Sequence, residues 1–469
     1  MENNIKHLVV IGAGPGGYVA AFRAADLGFQ VTLIDESGVL GGTCLHKGCI
    51  PSKTLLHAAR IISEAHEGKD FGIEFPVLNI DLEKLRNKKD AVIQKISSGL
   101  KFLCDKRKIT FIQARASFLD SQTIQIQKPD GTKESLKFDN AIIATGSKSI
   151  ELPGFPASKN ILDSTSALEL KSIPKTLLII GGGYIGLELG TVYAGLGSTV
   201  SVVEMKDQLL PGTDADLVKI LERRLKSAFS SIRLNTKVTG VKEILGGFEV
   251  TFVDGKGKTE TQNFEKILIS IGRKVDFTTL ELQNTKVQLR NNGFIQVNDC
   301  GQTTDPAIYA IGDVTGNPML AHKASYEGHI VAEALAGKSP TKNTKIIPAV
   351  VYTDPEIAVC GLTENQAKAE NRNVKVQTYN WLASGRAATI GRSDGLTKFI
   401  IDADTEKILG IGIVGINAGD LIMEGALAVE LGLKASDLKH LIHPHPSLSE
   451  TISEGILNFF GENIHSLNK

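Results

Sequence analysis

Two cysteines with four residues between them are the groups in this 469-residue chain best suited to redox chemistry. They lie in the run Gly41-Gly42-Thr43-Cys44-Leu45-His46-Lys47-Gly48-Cys49-Ile50-Pro51-Ser52-Lys53. A loop this short can bring one sulfur onto the other. A helix starting nearby stabilises a thiolate at its N-terminus, and Lys53 adds positive charge to the same neighbourhood. Beside a bound nucleotide cofactor, such a pair passes two electrons between a disulfide and a redox ring. The same spacing also serves a structural bridge, so the choice rests on what surrounds it.

A second cluster stands near the C-terminus. His443-Pro444-His445-Pro446-Ser447-Leu448-Ser449-Glu450 holds two imidazoles and a carboxylate within eight residues. A carboxylate that orients a histidine fixes its tautomer and raises its basicity, which suits a general base for thiols titrating at roughly 8 to 9. Metal binding competes with this reading. The rigidity of the prolines and the lack of nearby cysteine ligands weigh against it, so no metal is expected.

The elements that must position these groups read as strand, glycine turn and helix, twice over. His7 to Ile11 is a short apolar run, followed by Gly12-Ala13-Gly14-Pro15-Gly16-Gly17, a helix from Tyr18 to Leu27 and a strand from Gln30 that ends at Asp35. Thr176 to Ile180, Gly181-Gly182-Gly183-Tyr184-Ile185-Gly186, a helix from about Leu187 to Leu196 and a strand from Ser198 to Val203 repeat the unit 169 residues on, closed by Glu204. Gly12 and Gly181 permit the tight turn, Gly14 and Gly183 admit a pyrophosphate, and Gly17 and Gly186 let helix pack on strand. Asp35 and Glu204 each stand 23 residues after the first glycine, where an acid accepts ribose hydroxyls. A carboxylate at 204, followed by Met205 and Lys206 rather than an arginine pair, favours NAD over NADP.

Between the two units the sequence predicts a helix over 80–108, a hairpin turning at Pro129-Asp130-Gly131, and a strand from Asn140 to Ala144 that runs into Thr145-Gly146. A similar junction, Ile267 to Ile271 then Gly272-Arg273, closes the second unit. Taken alone, Gly312-Asp313 reads as a turn and Glu188 as a solvated acid. From Ile346 short strands alternate with a helix over Ala418 to Leu431, an α+β pattern.

Composition narrows the classes. Fifty-two basic and 52 acidic residues cancel, so neither nucleic acid nor an anionic membrane is expected as a partner. No apolar run reaches the roughly 18 residues of a spanning helix. The first strand is read from near Lys6, so no leader is expected on this chain. Five cysteines fit a reducing, cytoplasmic setting with one redox pair, and Cys104, Cys300 and Cys360 are expected to be core or surface thiols.

Read in order, these runs resemble the FAD-dependent pyridine nucleotide–disulfide oxidoreductases over essentially the whole chain. The resemblance is carried by the first fingerprint, GGTCLHKGCIPSK, Ala144-Thr145-Gly146, GGGYIGLELG, AIGDV (Ala310 to Val314), MLAHKASYEG (Met319 to Gly328) and HPHPSLSE. It implies an α/β fold with two Rossmann-like dinucleotide-binding domains, for FAD and NAD, a central segment and an α+β C-terminal dimerisation domain. The expected divisions are 1–149 for FAD, 150–273 for NAD, 274–345 completing the FAD site and 346–469 forming the interface. FAD is expected on the first fingerprint, with Asp35 on its ribose, Asp313 on its ribityl chain, and Lys53, Thr145, Gly146 and Ala321 nearby. NAD is expected on the second, with Glu204 and Gly272.

The resemblance also assigns roles. Cys49 is expected to be the charge-transfer thiol beside the flavin and Cys44 the thiol that exchanges with substrate. Lys53 and Glu188 are expected as an ion pair at the reactive face of the flavin. His445 and Glu450 are expected as base and orienting acid, supplied by the partner subunit of a homodimer. The reaction implied is oxidation of dihydrolipoyl groups by NAD⁺, the lipoyl arm coming from a 2-oxoacid dehydrogenase complex or a glycine-cleavage carrier. The rivals are an NAD(P)H-dependent reductase of the glutathione reductase type, a diaphorase or NADH oxidase, and a vestigial adaptor. Two departures stand out: His46-Lys47 where similar proteins carry Asn-Val, and Pro444 where they carry Ala. The resemblance further implies a cis bond before Pro446.

Overall fold

The computed structural model describes residues 5–75, 79–339 and 346–466. The fold divides into two compact units, one of Met1–Thr54, Leu82–Ile150 and Gly272–Asn343, the other of Leu55–Asp81, Glu151–Ile271 and Thr344–Lys469.

In the first unit, strand β1 (His7–Ile11) buries Leu8, Val9 and Val10 completely. Helix α1 (Pro15–Asp26) and strand β2 (Gln30–Asp35) follow. The helix starts at Pro15, three residues before the expected Tyr18, because a proline at the first helical position gives up only an N–H that has no partner there. β1 lies at the centre of a five-stranded parallel sheet. Beyond β2 comes Thr110–Gln113, and on the other side Asn140–Ile143 and then Ile308–Ala310. The last of these strands comes from the segment after residue 274. Near-continuous apolar runs are what a parallel sheet covered on both faces demands.

Helix α2 (Gly42–Lys47) carries Cys44, and α3 (Cys49–Glu67) begins at Cys49. Helix α4 (Leu82–Lys106) packs against α2. The predicted hairpin is present as Thr123–Gln127 and Lys133–Lys137.

The second unit repeats the plan with the parallel order Ser231–Arg233, Thr199–Val203, Thr176–Ile180, Lys266–Ile269, Ile161–Leu162. Its glycine turn leads into the helix Tyr184–Gly195, again three residues earlier than expected. An antiparallel sheet of Ala349–Val351, Glu356–Gly361, Ile408–Gly415, Leu396–Asp402 and Val374–Asn380 belongs to the same unit, with helices Ala418–Leu431 and Glu450–Phe460. Trp381, Phe399, Ile413, Ile452 and Ile456 fill its core.

One charged cluster ties the two parts of this unit together. Lys398, 2% exposed, reaches Asp216 at 2.8 Å, Asp214 at 3.1 Å and Glu364 at 2.7 Å. Among the described residues no helix is long and apolar enough to cross a membrane.

Candidate active site

Cys44 and Cys49 stand as thiols hydrogen-bonded to each other. That bond and burial push the Cys44 thiol well above its ordinary range, with Lys53 pulling the other way. Cys49 opens the 19-residue helix α3, whose dipole favours a thiolate at that end. The loop that holds the pair is bound to the first glycine turn. The Gly41 N–H donates to the Ala13 carbonyl at 2.8 Å, and a Cβ on Gly42 would lie 2.6 Å from Gly14 Cα. His46 adds a tether, because its Nε2–H donates to the Leu40 carbonyl at 2.8 Å.

The first glycine turn is closed on one side and open on the other. A Cβ on Gly12 would lie 2.3 Å from the Ala144 carbonyl oxygen, and one on Gly17 would lie 1.8 Å from the Gly12 oxygen. A Cβ on Gly14 would meet nothing within 4 Å, and Gly14 caps the N-terminus of α1. That open cradle beside a helix N-terminus fits a pyrophosphate. Asp35 is fixed at its edge by the Ala13 N–H at 2.7 Å and the Ser37 N–H at 2.8 Å.

Thr145 and Gly146 lie on the turn after Asn140–Ile143, directly behind Gly12. Asp313 belongs to a short 3₁₀ turn after Ile308–Ala310, and Ala321 is the first residue of the helix Ala321–Leu335. Asp313 accepts from the Ser147 hydroxyl at 2.5 Å, and Arg273 Nε donates to the same hydroxyl at 2.8 Å. Motif reading missed this Arg273–Ser147–Asp313 chain. The only signal was that Arg273 follows the flagged Gly272.

In the second unit the same construction recurs. A Cβ on Gly186 would lie 2.5 Å from the Gly181 oxygen, while one on Gly183 would meet nothing within 4 Å. Glu204 is held by the Gly182 N–H at 2.7 Å and the Lys206 N–H at 2.8 Å. Glu188 is not the solvated acid that its sequence context alone suggests: it is 3% exposed and accepts the Tyr352 N–H at 3.0 Å. Lys53 lies in the first unit and Glu188 in the second.

The two histidines of the C-terminal run differ sharply. His445 is 78% exposed, with Nδ1 2.8 Å from Glu450 Oε1. Burial pushes the Glu450 carboxyl up, but the Ser447 N–H, His445 and His443 outweigh it and hold the group below the usual carboxylate range. A carboxylate fixed at both oxygens orients the imidazole as a base requires. His443 is 9% exposed, with Nε2 2.8 Å from Glu424 Oε1 and Nδ1 buried without a hydrogen-bond partner among the described residues. The bond before Pro446 is cis. Glu424 sits on Ala418–Leu431, whose Met423, Leu427 and Leu431 are exposed at a four-residue spacing.

Cys104 and Cys360 are buried and Cys300 is half-buried. Among the described residues no group of three or more His, Cys, Asp or Glu side chains is placed to hold a metal ion.

Comparison with known proteins agrees with this construction. Residues 6–328 match the family described as pyridine nucleotide-disulphide oxidoreductase, and residues 347–456 match its dimerisation domain. The chain is 45% identical over 454 residues to a protein named dihydrolipoyl dehydrogenase from Haemophilus influenzae, covering 96% of this chain and 95% of that one. It is 41% identical over 461 residues to the protein of that name from Geobacillus stearothermophilus, covering 98% and 97%. Among solved structures it is similar to LpdA from Mycobacterium tuberculosis (TM-score 0.89, 26% identity, 97% and 100% covered). It is also similar to the HOCl-induced flavoprotein disulfide reductase RclA from Escherichia coli (TM-score 0.86, 26% identity, 96% and 99% covered). On the first match alone, which spans both glycine cradles and the thiol pair, the chain belongs to the pyridine nucleotide-disulphide oxidoreductase family.

Proposed function

We propose that the chain oxidises dihydrolipoyl groups to lipoyl disulfides with NAD⁺, as a homodimeric FAD enzyme. The observation that carries this reading is a facing thiol pair bound to an open nucleotide cradle within one unit. Relatives named dihydrolipoyl dehydrogenase, 41–45% identical over nearly the full length, support the choice of substrate. The lipoyl arm would come from a partner, a 2-oxoacid dehydrogenase complex or a glycine-cleavage carrier. Cysteine usage supports a cytoplasmic setting.

In this reading His445, oriented by Glu450, takes a proton from a dihydrolipoyl thiol. The thiolate attacks Sγ of Cys44 in the Cys44–Cys49 disulfide, forming a mixed disulfide and releasing Cys49 as thiolate. The second substrate thiol, deprotonated in turn, displaces Cys44 and closes the lipoyl ring. Two electrons are then stored on the cysteine pair, and two protons have left the substrate. FAD, when bound, supplies the redox ring through which that pair reaches NAD⁺. Gly12, Gly14, Gly17, Asp35, Thr145, Gly146, Asp313 and Ala321 would hold FAD. Gly181, Gly183, Gly186, Glu204 and Gly272 would hold NAD. Lys53 is read as the cation that eases ionisation of the pair, and Glu188 as a buried acid of the NAD-binding part. The exposure of His445 supports its use by the thiol pair of a second copy, and the dimerisation match and the apolar stripe on Ala418–Leu431 support the dimer.

The test is NAD⁺ reduction by dihydrolipoamide, run beside NADPH-driven reduction of glutathione disulfide. Turnover in the first alone is the expected result, and turnover in the second alone would overturn the reading. His445→Gln is expected to lower the first activity by about 10²- to 10⁴-fold.

A further inference from the structure

Glycines loosen both ends of the short segment that holds Cys44. Gly41 and Gly42 open it with φ of 111° and 57°, the left-handed region that glycine enters freely, and Gly48 ends it with φ of −151°, outside the helical region. Between them α2 is six residues long, too short to hold its own shape, and among the described residues no side chain caps its N-terminus. Cys44 lies inside this segment, and Cys49 lies just beyond it at the start of α3. The meeting of the two sulfurs therefore depends on what ties the segment down.

Two side chains do so. Leu45, 4% exposed, anchors the middle of α2, while Thr43 and Lys47 are exposed. His46, in the last turn, reaches back past the whole helix to Leu40, the residue before its N-cap, with Nε2 2.8 Å from the carbonyl oxygen. A carbonyl only accepts, so Nε2 carries the proton. Leu40 is 2% exposed, and its buried carbonyl needs a donor, which this imidazole supplies. The bond closes residues 40–46 into a ring that contains Cys44 and spans both left-handed glycines.

We propose that His46 is a positioning residue of the redox pair: its bond to the Leu40 carbonyl raises the effective concentration of Cys44 at Cys49 and so favours the disulfide over the dithiol. The proposal rests on the reading of Cys44 and Cys49 as that pair. Without the bond the reduced segment regains backbone freedom at Gly41 and Gly42, and closing the disulfide has to remove it again.

The experiment equilibrates the flavin-loaded protein with mixtures of oxidised and reduced dithiothreitol, without oxygen. The protein dithiol gives two electrons and two protons to oxidised dithiothreitol, whose disulfide opens to the dithiol as the Cys44–Cys49 bond forms. Acid quenching, alkylation and peptide mass then give the fraction of protein joined at 44–49. His46→Phe keeps a ring without the donor, and His46→Gln keeps an N–H donor at similar reach without the imidazole or its charge. The equilibrium constant for disulfide formation is expected to fall about three- to tenfold in the first, the worth of one hydrogen bond, and to stay within about twofold of the wild type in the second. His46→Ala is expected to fall as far as His46→Phe and serves in its place where the larger ring prevents folding. An unchanged constant in the folded variants lacking the donor would overturn the proposal, even where they melt at a lower temperature. So would an equal fall in His46→Gln, which would assign the effect to the imidazole charge. A wild type that forms no 44–49 disulfide in any mixture would instead overturn the redox reading beneath it.

Discussion

The Glu204 carboxylate accepts the Gly182 N–H at 2.7 Å, so the acid that ends one strand is bonded to the glycine turn that ends its neighbour. The Lys206 N–H holds its other oxygen at 2.8 Å. Asp35 is fixed in the same way in the first unit, by the N–H groups of Ala13 and Ser37. A carboxylate held this rigidly presents its remaining lone pairs in one direction and cannot swing away from an added phosphate. Glu204→Gln is therefore expected to weaken NAD⁺ binding by about tenfold, the worth of one charge-assisted hydrogen bond, and to narrow the preference over NADP⁺. Titration of both nucleotides by fluorescence checks this, and an unchanged NAD⁺ affinity would remove Glu204 from the site.

Gly14 and Gly17 are expected to fail differently. An added Cβ at 17 collides with the Gly12 oxygen at 1.8 Å, so Gly17→Ala should reduce soluble, folded protein. At 14 the Cβ enters open space, so Gly14→Ala should fold and keep its circular dichroism yet bind flavin poorly. If Gly14→Ala purified as yellow as the wild type, the cradle would not be the flavin site.

The thiol pair gives a prediction with a sign. Hydrogen bonding to Cys49, then burial, raises the Cys44 pKa in the dithiol form. Removing the first cause in Cys49→Ala should bring the Cys44 titration down in pH while burial keeps it from falling far. Alkylation rate against pH on flavin-free protein, with Cys44→Ser as control, reads the shift. A midpoint that moves upward would contradict the hydrogen-bonded geometry.

Lys398 is expected to matter for stability rather than turnover. Lys398→Met leaves Asp214 and Asp216 without their cation, while Glu364 keeps Lys368 at 2.6 Å, and breaking a buried ion pair from one side costs about 3 to 5 kcal/mol. Chemical denaturation measures it, and a loss below about 1 kcal/mol would show that solvent already screens the cluster.

The strands around both glycine turns were legible because a doubly covered parallel strand has to be written as an unbroken apolar run. Leu8 to Ile11 and Leu177 to Ile180 are such runs. The starts of the two helices were less so, since Gly and Pro residues conceal a first turn that geometry permits. Glu188 was misread from its immediate neighbours alone. It sits in Tyr184–Gly195, a helix apolar almost all round, and in such a helix a lone acid signals a buried partner rather than solvent. The Ser147–Asp313 bond spans 166 positions, and the His443–Glu424 bond spans 19 across a turn. Pairs like these are set by how elements dock, and no local spacing rule encodes them.

The Lys398 cluster also bears on how this chain could be recombined. Asp214 and Asp216 come from the NAD-type half, and Lys398 and Glu364 from the dimerisation half, matched by different family descriptions. Leu217 packs against Gly412 across the same seam. A chimera that joined one half to a foreign counterpart would inherit Lys398 with Glu364 but without Asp214 and Asp216, or those two aspartates without their lysine. These two stretches are separable on paper but have to be inherited together, and the natural crossover points are the edges of the compact unit rather than the boundaries of the motifs.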